Sequence, residues 1–168
     1  MIYTATADGR MDLGERKVRC ALGPAGVVAA AAKREGDGAS PAGVWPIREV
    51  IYRPDRGPPP ASEFRVRAMT PDDGWCDDPA DEAYNRPVKL PYPASAETLW
   101  REDGLYDIVV ILGHNDDPVV PGRGSAIFLH IAQPDYAPTE GCVAIARPDL
   151  EELLDRLQQG DAIGIRGA

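Results

Sequence analysis

The segments 125–131 (Ser-Ala-Ile-Phe-Leu-His-Ile) and 142–146 (Cys-Val-Ala-Ile-Ala) are two apolar runs separated by a loop that contains Pro and Asp. A third run, residues 106–112, is also continuously apolar after its first two residues. Short apolar runs bounded by turn residues are typical of strands that are buried on both faces. These runs therefore predict the centre of a β-sheet, with a histidine near the end of one strand and a cysteine at the start of another.

The rest of the chain also favours strands over helices. Glycine and proline number 17 each in 168 residues, and such frequent turns are typical of many short strands. Further strands are predicted at 17–22, 27–33, 44–52, 64–69 and 162–166. We expect the first two of these to be neighbours around the turn at 23–26. The length predicts a single domain over residues 1–168, mainly β with short helices (α+β).

One helix is clear in the sequence. Pro148 is suited to a first helical turn, and four leucines follow at the spacing of one helix face: Leu150, Leu153, Leu154 and Leu157. We expect Gly160 to cap the end of this helix. A second short helix is predicted over 95–102, and residues 71–93 are predicted to form a long irregular loop.

Charge and composition exclude some classes of function. A net charge of −9 with no cluster of Lys or Arg argues against nucleic acid as a partner. The longest apolar stretch, residues 25–32, is too short to cross a membrane, so we expect no membrane insertion. Three widely spaced cysteines and no recognisable secretory signal favour the cytoplasm, with the periplasm as the alternative if an export signal was removed.

Cys142 and His130 are the candidate catalytic pair. A cysteine nucleophile is activated by a neighbouring imidazole, and we expect His130 to lie within hydrogen-bond reach of the sulfur and to hold it as thiolate. Gly141 directly precedes the cysteine, where a residue without a side chain lets a substrate carbonyl approach the backbone closely. A core histidine and a buried structural cysteine are the alternative interpretations.

The segment from His130 to Ile145 resembles the YkuD family, the L,D-transpeptidase catalytic domain. The family motif is a histidine, a variable loop, and Ser/Thr-His-Gly-Cys followed by an aliphatic residue and usually arginine. His130 and the run Thr139-Glu140-Gly141-Cys142-Val143 match it, except that Glu140 replaces the second histidine and Ala144 replaces the arginine. Residues 40–45, Ser-Pro-Ala-Gly-Val-Trp, match a second family motif ahead of a strand.

The resemblance implies a YkuD-like β-sandwich and acyl transfer on peptidoglycan. Cys142 would attack the carbonyl of an L-centre residue, typically diaminopimelate, bonded to a terminal D-alanine in a stem tetrapeptide. His130 would activate the thiol, and backbone N–H groups around Gly141 would stabilise the oxyanion. Transfer of the acyl group to water would make the protein an L,D-carboxypeptidase of murein recycling, which we favour. Transfer to an amine would make it an L,D-transpeptidase. No cofactor is implied.

Several polar residues are candidates for substrate contacts. They are His114, Ser125, Thr139, Glu140, Tyr84, Asn85 and Arg86. Arg86 is a candidate to bind a substrate carboxylate, with an exposed loop as the alternative. For His114 a solvated loop position and a substrate contact are both open.

Two other classes of function compete with the enzyme. A zinc site could use His114, His130, Cys142 and an Asp, but the sequence has no H-E-x-x-H motif or other compact ligand pair, so we expect no metal. A catalytically inactive peptidoglycan-binding module is the other alternative, although the cysteine and the histidine are both present.

Overall fold

The protein is described by a computed structural model, which covers residues 1–167. Within these described residues the regular structure consists of thirteen strands, one α-helix and one 3₁₀ turn. The strands are β1 Ile2–Thr6, β2 Arg10–Asp12, β3 Lys17–Ala21, β4 Val27–Ala29, β5 Ser40–Tyr52, β6 Val66–Ala68, β7 Asp73–Cys76, β8 Pro87–Lys89, β9 Ala96–Thr98, β10 Ile108–Leu112, β11 Phe128–Ile131, β12 Val143–Ile145 and β13 Ala162–Arg166. The 3₁₀ turn is Ala30–Ala32, and helix α1 is Arg147–Arg156.

The large sheet closes on itself through β5. Its strands run in the order β10-β11-β12-β3-β2-β1-β13-β5-β4, with β6 on the side of β5. Strand β5 is 13 residues long, and it pairs with β13 through 43–46 and with β10 through 47–52. This double pairing joins the two ends of the sheet into a barrel-like circuit. The predicted mainly β fold with one clear helix is therefore confirmed.

The strands that contain the candidate pair alternate their side chains between two apolar layers. Leu129, Ile131, Val143 and Ile145 point into the larger core, where the leucines of α1 also pack. Phe128 and Cys142 belong to a second apolar layer on the opposite face of the same strands. Because successive side chains of a strand alternate faces, His130 lies on the same face as Phe128.

Helix α1 forms as the leucine spacing predicts. Leu150, Leu153, Leu154 and Leu157 are all buried, and burial of each leucine stabilises the fold by roughly 2 kcal/mol. The predicted cap is wrong, because the helix ends at Arg156 and Leu157 is its C-cap in an extended conformation. Gly160 instead has a φ of 92° in the turn that precedes β13.

Residues 71–102 differ most from the sequence prediction. The irregular loop contains β7 and β8, and the helix predicted over 95–102 is wrong, since residues 96–98 form strand β9. These strands form a separate sheet in the order β8-β7-β9. Strands β3 and β4 are not neighbours either, because β3 pairs with β2 and β12 while β4 pairs with β5. The β3–β12 and β7–β9 pairings join segments far apart in sequence, so local residue preferences do not reveal them.

Candidate active site

Parallel pairing of β11 with β12 brings Cys142 and His130 to one face of the sheet. His130 is opposite Ala144 in the register, and Cys142 precedes Ala144 by two residues, which places both on the same side. Cys142 is 7% exposed and His130 is 5% exposed. Both line the same cavity, of about 780 Å³. The two residues singled out by the motif therefore share one site.

A backbone carbonyl orients the His130 ring. Nδ1 lies 2.9 Å from the carbonyl oxygen of Ile131. Because a carbonyl oxygen only accepts hydrogen bonds, a neutral imidazole in this contact carries its proton on Nδ1. The ring of Tyr106 packs against the imidazole nearly edge to face, with 5.1 Å between ring centroids. These two contacts fix the orientation of the imidazole.

The thiol of Cys142 is held by the backbone and not by His130. Sγ donates to the Ala126 carbonyl oxygen at 3.1 Å and accepts the Phe128 N–H at 3.4 Å. Within residues 1–167 these are its hydrogen bonds, so the bond predicted between the thiol and His130 is not formed in the resting structure. The Ala126 carbonyl and the Phe128 N–H thus fix the position of the sulfur.

Burial keeps the candidate pair neutral. It raises the pKa of the Cys142 thiol to about 12, with a smaller contribution from the negative charge of Glu97. Burial also lowers the pKa of His130 to about 4. A neutral thiol is therefore favoured over the expected resting thiolate, because an apolar layer disfavours the charged forms of both groups.

The turn before Cys142 is shaped by Thr139 and Gly141. Thr139 Oγ1 donates to the Cys142 carbonyl oxygen at 2.7 Å and accepts the Gly141 N–H at 3.1 Å. Gly141 has a φ of 130°, and a Cβ on it would lie 2.7 Å from the Ala39 carbonyl oxygen. The Gly141 N–H is thus engaged inside the turn, so its predicted oxyanion contact would require that bond to open.

The second sequence motif supports the same turn. Ser40 begins strand β5 directly after Ala39, and its Oγ accepts the Gly23 N–H at 3.0 Å. Leu22 in turn accepts the Thr139 N–H at 3.0 Å through its carbonyl oxygen. The two motifs, far apart in sequence, therefore meet beside the cysteine.

Three of the predicted substrate-contact residues line the cavity: Ser125, Thr139 and Glu140. The sequence prediction missed other charged and polar residues that line it. They are Lys33, Glu35, Asp77, Glu97, Arg101, Tyr106 and Gln133. Glu97 lies in β9 of the separate sheet, Asp77 directly follows β7, and Arg101 follows β9. Because residues 95–102 were predicted to be a helix, the sequence did not indicate that this segment forms part of the cavity wall.

Tyr84, Asn85, Arg86 and His114 do not line this cavity. Asn85 is buried, and its side chain binds Trp75 and the backbone of residues 114, 115 and 126. Tyr84 is also buried, and its hydroxyl donates to Glu35 at 2.5 Å. Arg86 lines a different cavity and donates to the Asp116 carbonyl oxygen at 2.8 Å. Asn85 and Tyr84 therefore hold loops together, and Arg86 lies away from the cysteine.

His114 is neither solvated nor in the cavity with Cys142. It is 4% exposed, packs edge to face on Trp45 with 4.8 Å between centroids, and has a pKa lowered to about 4 by burial. Neither of the two positions left open by the sequence is therefore found, because Trp45 from β5 packs against the imidazole. In residues 1–167 no group of three or more His, Cys, Asp or Glu side chains is arranged to hold a metal ion.

Glu97 and Tyr106 form a hydrogen-bonded pair in the cavity wall. The Tyr106 hydroxyl donates to Glu97 Oε1 at 2.5 Å. Burial raises the pKa of Glu97 to about 7. Tyr106 also contacts the rings of Phe128 and His130, so this pair links the separate sheet to the catalytic face.

Comparison with known proteins agrees with this geometry. The family model of YkuD, the L,D-transpeptidase catalytic domain, matches residues 2–165. Searches of curated proteins and of solved structures found no match. No helix within residues 1–167 is long and apolar enough to cross a membrane. The family match spans nearly the whole chain and includes both halves of the candidate pair, and the chain therefore belongs to the YkuD family of L,D-transpeptidase catalytic domains.

Proposed function

We propose that the protein is an L,D-carboxypeptidase that removes the terminal D-alanine from a peptidoglycan stem tetrapeptide. Membership of the YkuD family supports cysteine-dependent acyl transfer on peptidoglycan peptides. The observation that carries the proposal is the placement of Cys142 and His130 on one sheet face, in the wall of one cavity.

The proposed reaction begins from the neutral pair. Cys142 Sγ attacks the carbonyl carbon of diaminopimelate while its proton passes to His130 Nε2. The tetrahedral intermediate collapses, the C–N bond breaks, and the imidazolium returns the proton to the leaving amine of D-alanine. The Ile131 carbonyl keeps its contact with Nδ1 throughout and stabilises the transient positive charge. The product of this half-reaction is a thioester on Cys142.

Hydrolysis of the thioester completes the cycle. Water gives a proton to His130 Nε2 and attacks the thioester carbonyl, and collapse returns the proton to the departing sulfur. Ala144 lies opposite His130 and is buried, and its methyl group offers an amine acceptor neither charge nor hydrogen bond. Water needs fewer contacts than a peptide amine, which is why this replacement supports water as the acceptor.

Three unpaired thiols support a cytoplasmic location. Cys20, Cys76 and Cys142 are all free and buried. Free thiols are the usual state in a reducing compartment, where tetrapeptides released from the wall are trimmed. Fractionation of cells with an antibody against the protein tests this part of the proposal, and recovery in the periplasm would count against it.

One observation favours transpeptidation as the second candidate. The cavity carries four acidic side chains: Glu35, Asp77, Glu97 and Glu140. A negative cavity attracts the ammonium group of an amine acceptor. L,D-transpeptidation, with crosslinked dimers or D-amino-acid exchange as products, is therefore the alternative.

Product analysis separates the two reactions. The purified protein is incubated with a diaminopimelate tetrapeptide, with and without a D-amino acid or a second peptide as acceptor, and products are identified by mass spectrometry. We expect tripeptide and free D-alanine in both reactions, and little exchange product. Dominant exchange or crosslinked products would support the transpeptidase, and absence of any product would reject both.

A further inference from the structure

Arg101 is a positively charged residue in the wall of the cavity that contains Cys142, and it is not part of the family motif. Among the described residues that line the cavity, two are basic, Lys33 and Arg101. Lys33 is buried and its Nζ is already bound to Asp37 at 2.5 Å and to the Arg34 carbonyl oxygen at 2.8 Å. Both cations pair with a carboxylate of the protein, but the Lys33 side chain is 3% exposed and that of Arg101 is 36% exposed, so Arg101 is the cation more accessible to a ligand.

The guanidinium of Arg101 is held on one side and open on the other. Nε and Nη2 donate to Asp103 at 2.5–3.1 Å. Nη1 makes no hydrogen bond with any of residues 1–167, and the side chain is 36% exposed. The guanidinium carbon lies 4.9 Å from the centre of the Tyr106 ring, the same ring that packs on His130. Arg101 thus reaches the layer of side chains next to the catalytic base.

The backbone of Arg101 is fixed to the main sheet. Its carbonyl oxygen accepts a hydrogen bond from Arg53 Nη1 at 2.5 Å, and its N–H donates to the Leu99 carbonyl oxygen at 3.0 Å. Arg53 follows β5 and stacks on Trp100, with its guanidinium carbon 3.7 Å from the ring centroid. A side chain on such a fixed segment is suited to recognition, because little conformational entropy of the backbone is lost on binding.

We propose that Arg101 binds a carboxylate of the donor peptide, and so occupies the role for which the sequence suggested Arg86. The inference rests on the proposed function for the identity of the donor. Arginine is the side chain that pairs best with a carboxylate, and Ala144 supplies no charge beside His130. An anionic peptide entering a cavity with four acidic side chains needs such a cation. Two carboxylates of the donor qualify, that of the terminal D-alanine and that of the diaminopimelate side chain.

The test compares three tetrapeptides: the free acid, the C-terminal amide and the diaminopimelate side-chain amide. The wild-type protein should lose about 10- to 100-fold in kcat/KM on the amide that removes the contacted carboxylate. Arg101→Gln should lose a similar factor on the free acid, mainly through KM, and should no longer discriminate against that amide. Arg101→Lys should recover part of the loss. Arg86→Gln, which lies outside the cavity, is the matched control and should behave as wild type.

Three results would overturn the inference. The first is an unchanged kcat/KM in Arg101→Gln. The second is an equal loss on all three peptides, since that would indicate a purely structural role. The third comes from calorimetry of peptide binding to Cys142→Ala, with arginine or glutamine at position 101. Equal affinity for the acid and the amides contradicts a carboxylate contact, whereas no binding of any of the three peptides shows that the proposed donor is wrong. Because binding does not require turnover, this last measurement distinguishes failure at Arg101 from failure of the proposed reaction.

Discussion

Gly141 and Ala39 are in such close contact that no side chain fits between them. A Cβ placed on Gly141 would lie 2.7 Å from the Ala39 carbonyl oxygen, and the φ of Gly141 is 130°. Ala39 precedes the motif at 40–45, while Gly141 precedes the cysteine. The contact thus couples the two motifs of the family and sets the direction in which the chain enters β12.

Substitution of this glycine should therefore cost both stability and activity. We expect Gly141→Ala to lower the free energy of unfolding by about 1–3 kcal/mol, because the backbone is strained and the Ala39 carbonyl has to move. Turnover should fall further than stability explains, since the turn carries Cys142. Urea unfolding and steady-state kinetics measure the two effects. Gly160→Ala is the control: Gly160 also has positive φ, but a Cβ there meets no atom within 4 Å, so activity should be unchanged.

Cys142 should be the one cysteine required for turnover. Cys142→Ala should reduce the rate by more than roughly a thousandfold, as expected when a nucleophile is removed. Cys76→Ala is the matched control, because Cys76 is also buried and free but does not line the catalytic cavity. Intact-protein mass spectrometry during turnover should show an acyl adduct in Cys76→Ala and none in Cys142→Ala. An adduct that survives in Cys142→Ala would contradict the assignment.

His130 should matter for turnover much more than for the reactivity of the resting thiol. Because the Cys142 thiol has a pKa of about 12 and does not bind His130, its alkylation by iodoacetamide should be slow at pH 7 and rise steadily above pH 9. His130→Ala should change this alkylation rate by less than about tenfold, whereas turnover should fall by about 10²–10⁴-fold. Peptide mapping identifies the alkylated cysteine. Rapid alkylation at neutral pH that is lost in His130→Ala would show that the imidazole does hold a thiolate.

The acidic limb of the pH–rate profile should lie well below the usual histidine range. The base has to be neutral to accept the proton of the thiol, and burial lowers the pKa of His130 to about 4. The kcat/KM for tetrapeptide should therefore stay high as pH falls through 6.5 and decrease only near pH 4. Initial rates between pH 3.5 and 8 measure the profile. A limb centred at 6.5 would indicate a solvated imidazole.

Glu97 should make the folded protein less stable as pH rises. Its pKa is raised from 4.5 to about 7, so between these values the folded protein retains a proton that the unfolded chain has lost. The contribution of Glu97 to the free energy of unfolding therefore decreases from pH 4.5 through 7. Glu97→Gln should become progressively more stable than wild type over this range. Urea unfolding at several pH values measures the difference, with the exposed Glu82→Gln as a control that should show no such trend.

The sequence predicted a helix or strand correctly where the buried residues of that element form a local pattern along the chain. The four leucines of α1 predicted a helix because a side chain every three or four residues defines one helix face. The apolar runs around His130 and Cys142 predicted buried strands because they are short, continuous and bounded by turn residues. The motif around Cys142 also identified the family and the pair of residues that share the cavity, because their spacing reflects two adjacent parallel strands.

Tertiary structure alone decided the protonation of the pair and the composition of the cavity wall. Whether Cys142 is a thiol or a thiolate depends on the apolar layer beneath it, and that layer is assembled from β5, β10 and the small sheet. In the sequence, Arg86 and Arg101 are equally good candidates to bind a carboxylate. Pairing of β9 with β7 places the segment that contains Arg101 at the cavity, whereas Arg86 lies outside it. The sequence by itself determined the reactive residue types and the family, since these depend on local order along the chain. The fold determined which charges face the substrate, since these depend on strand pairings between distant segments.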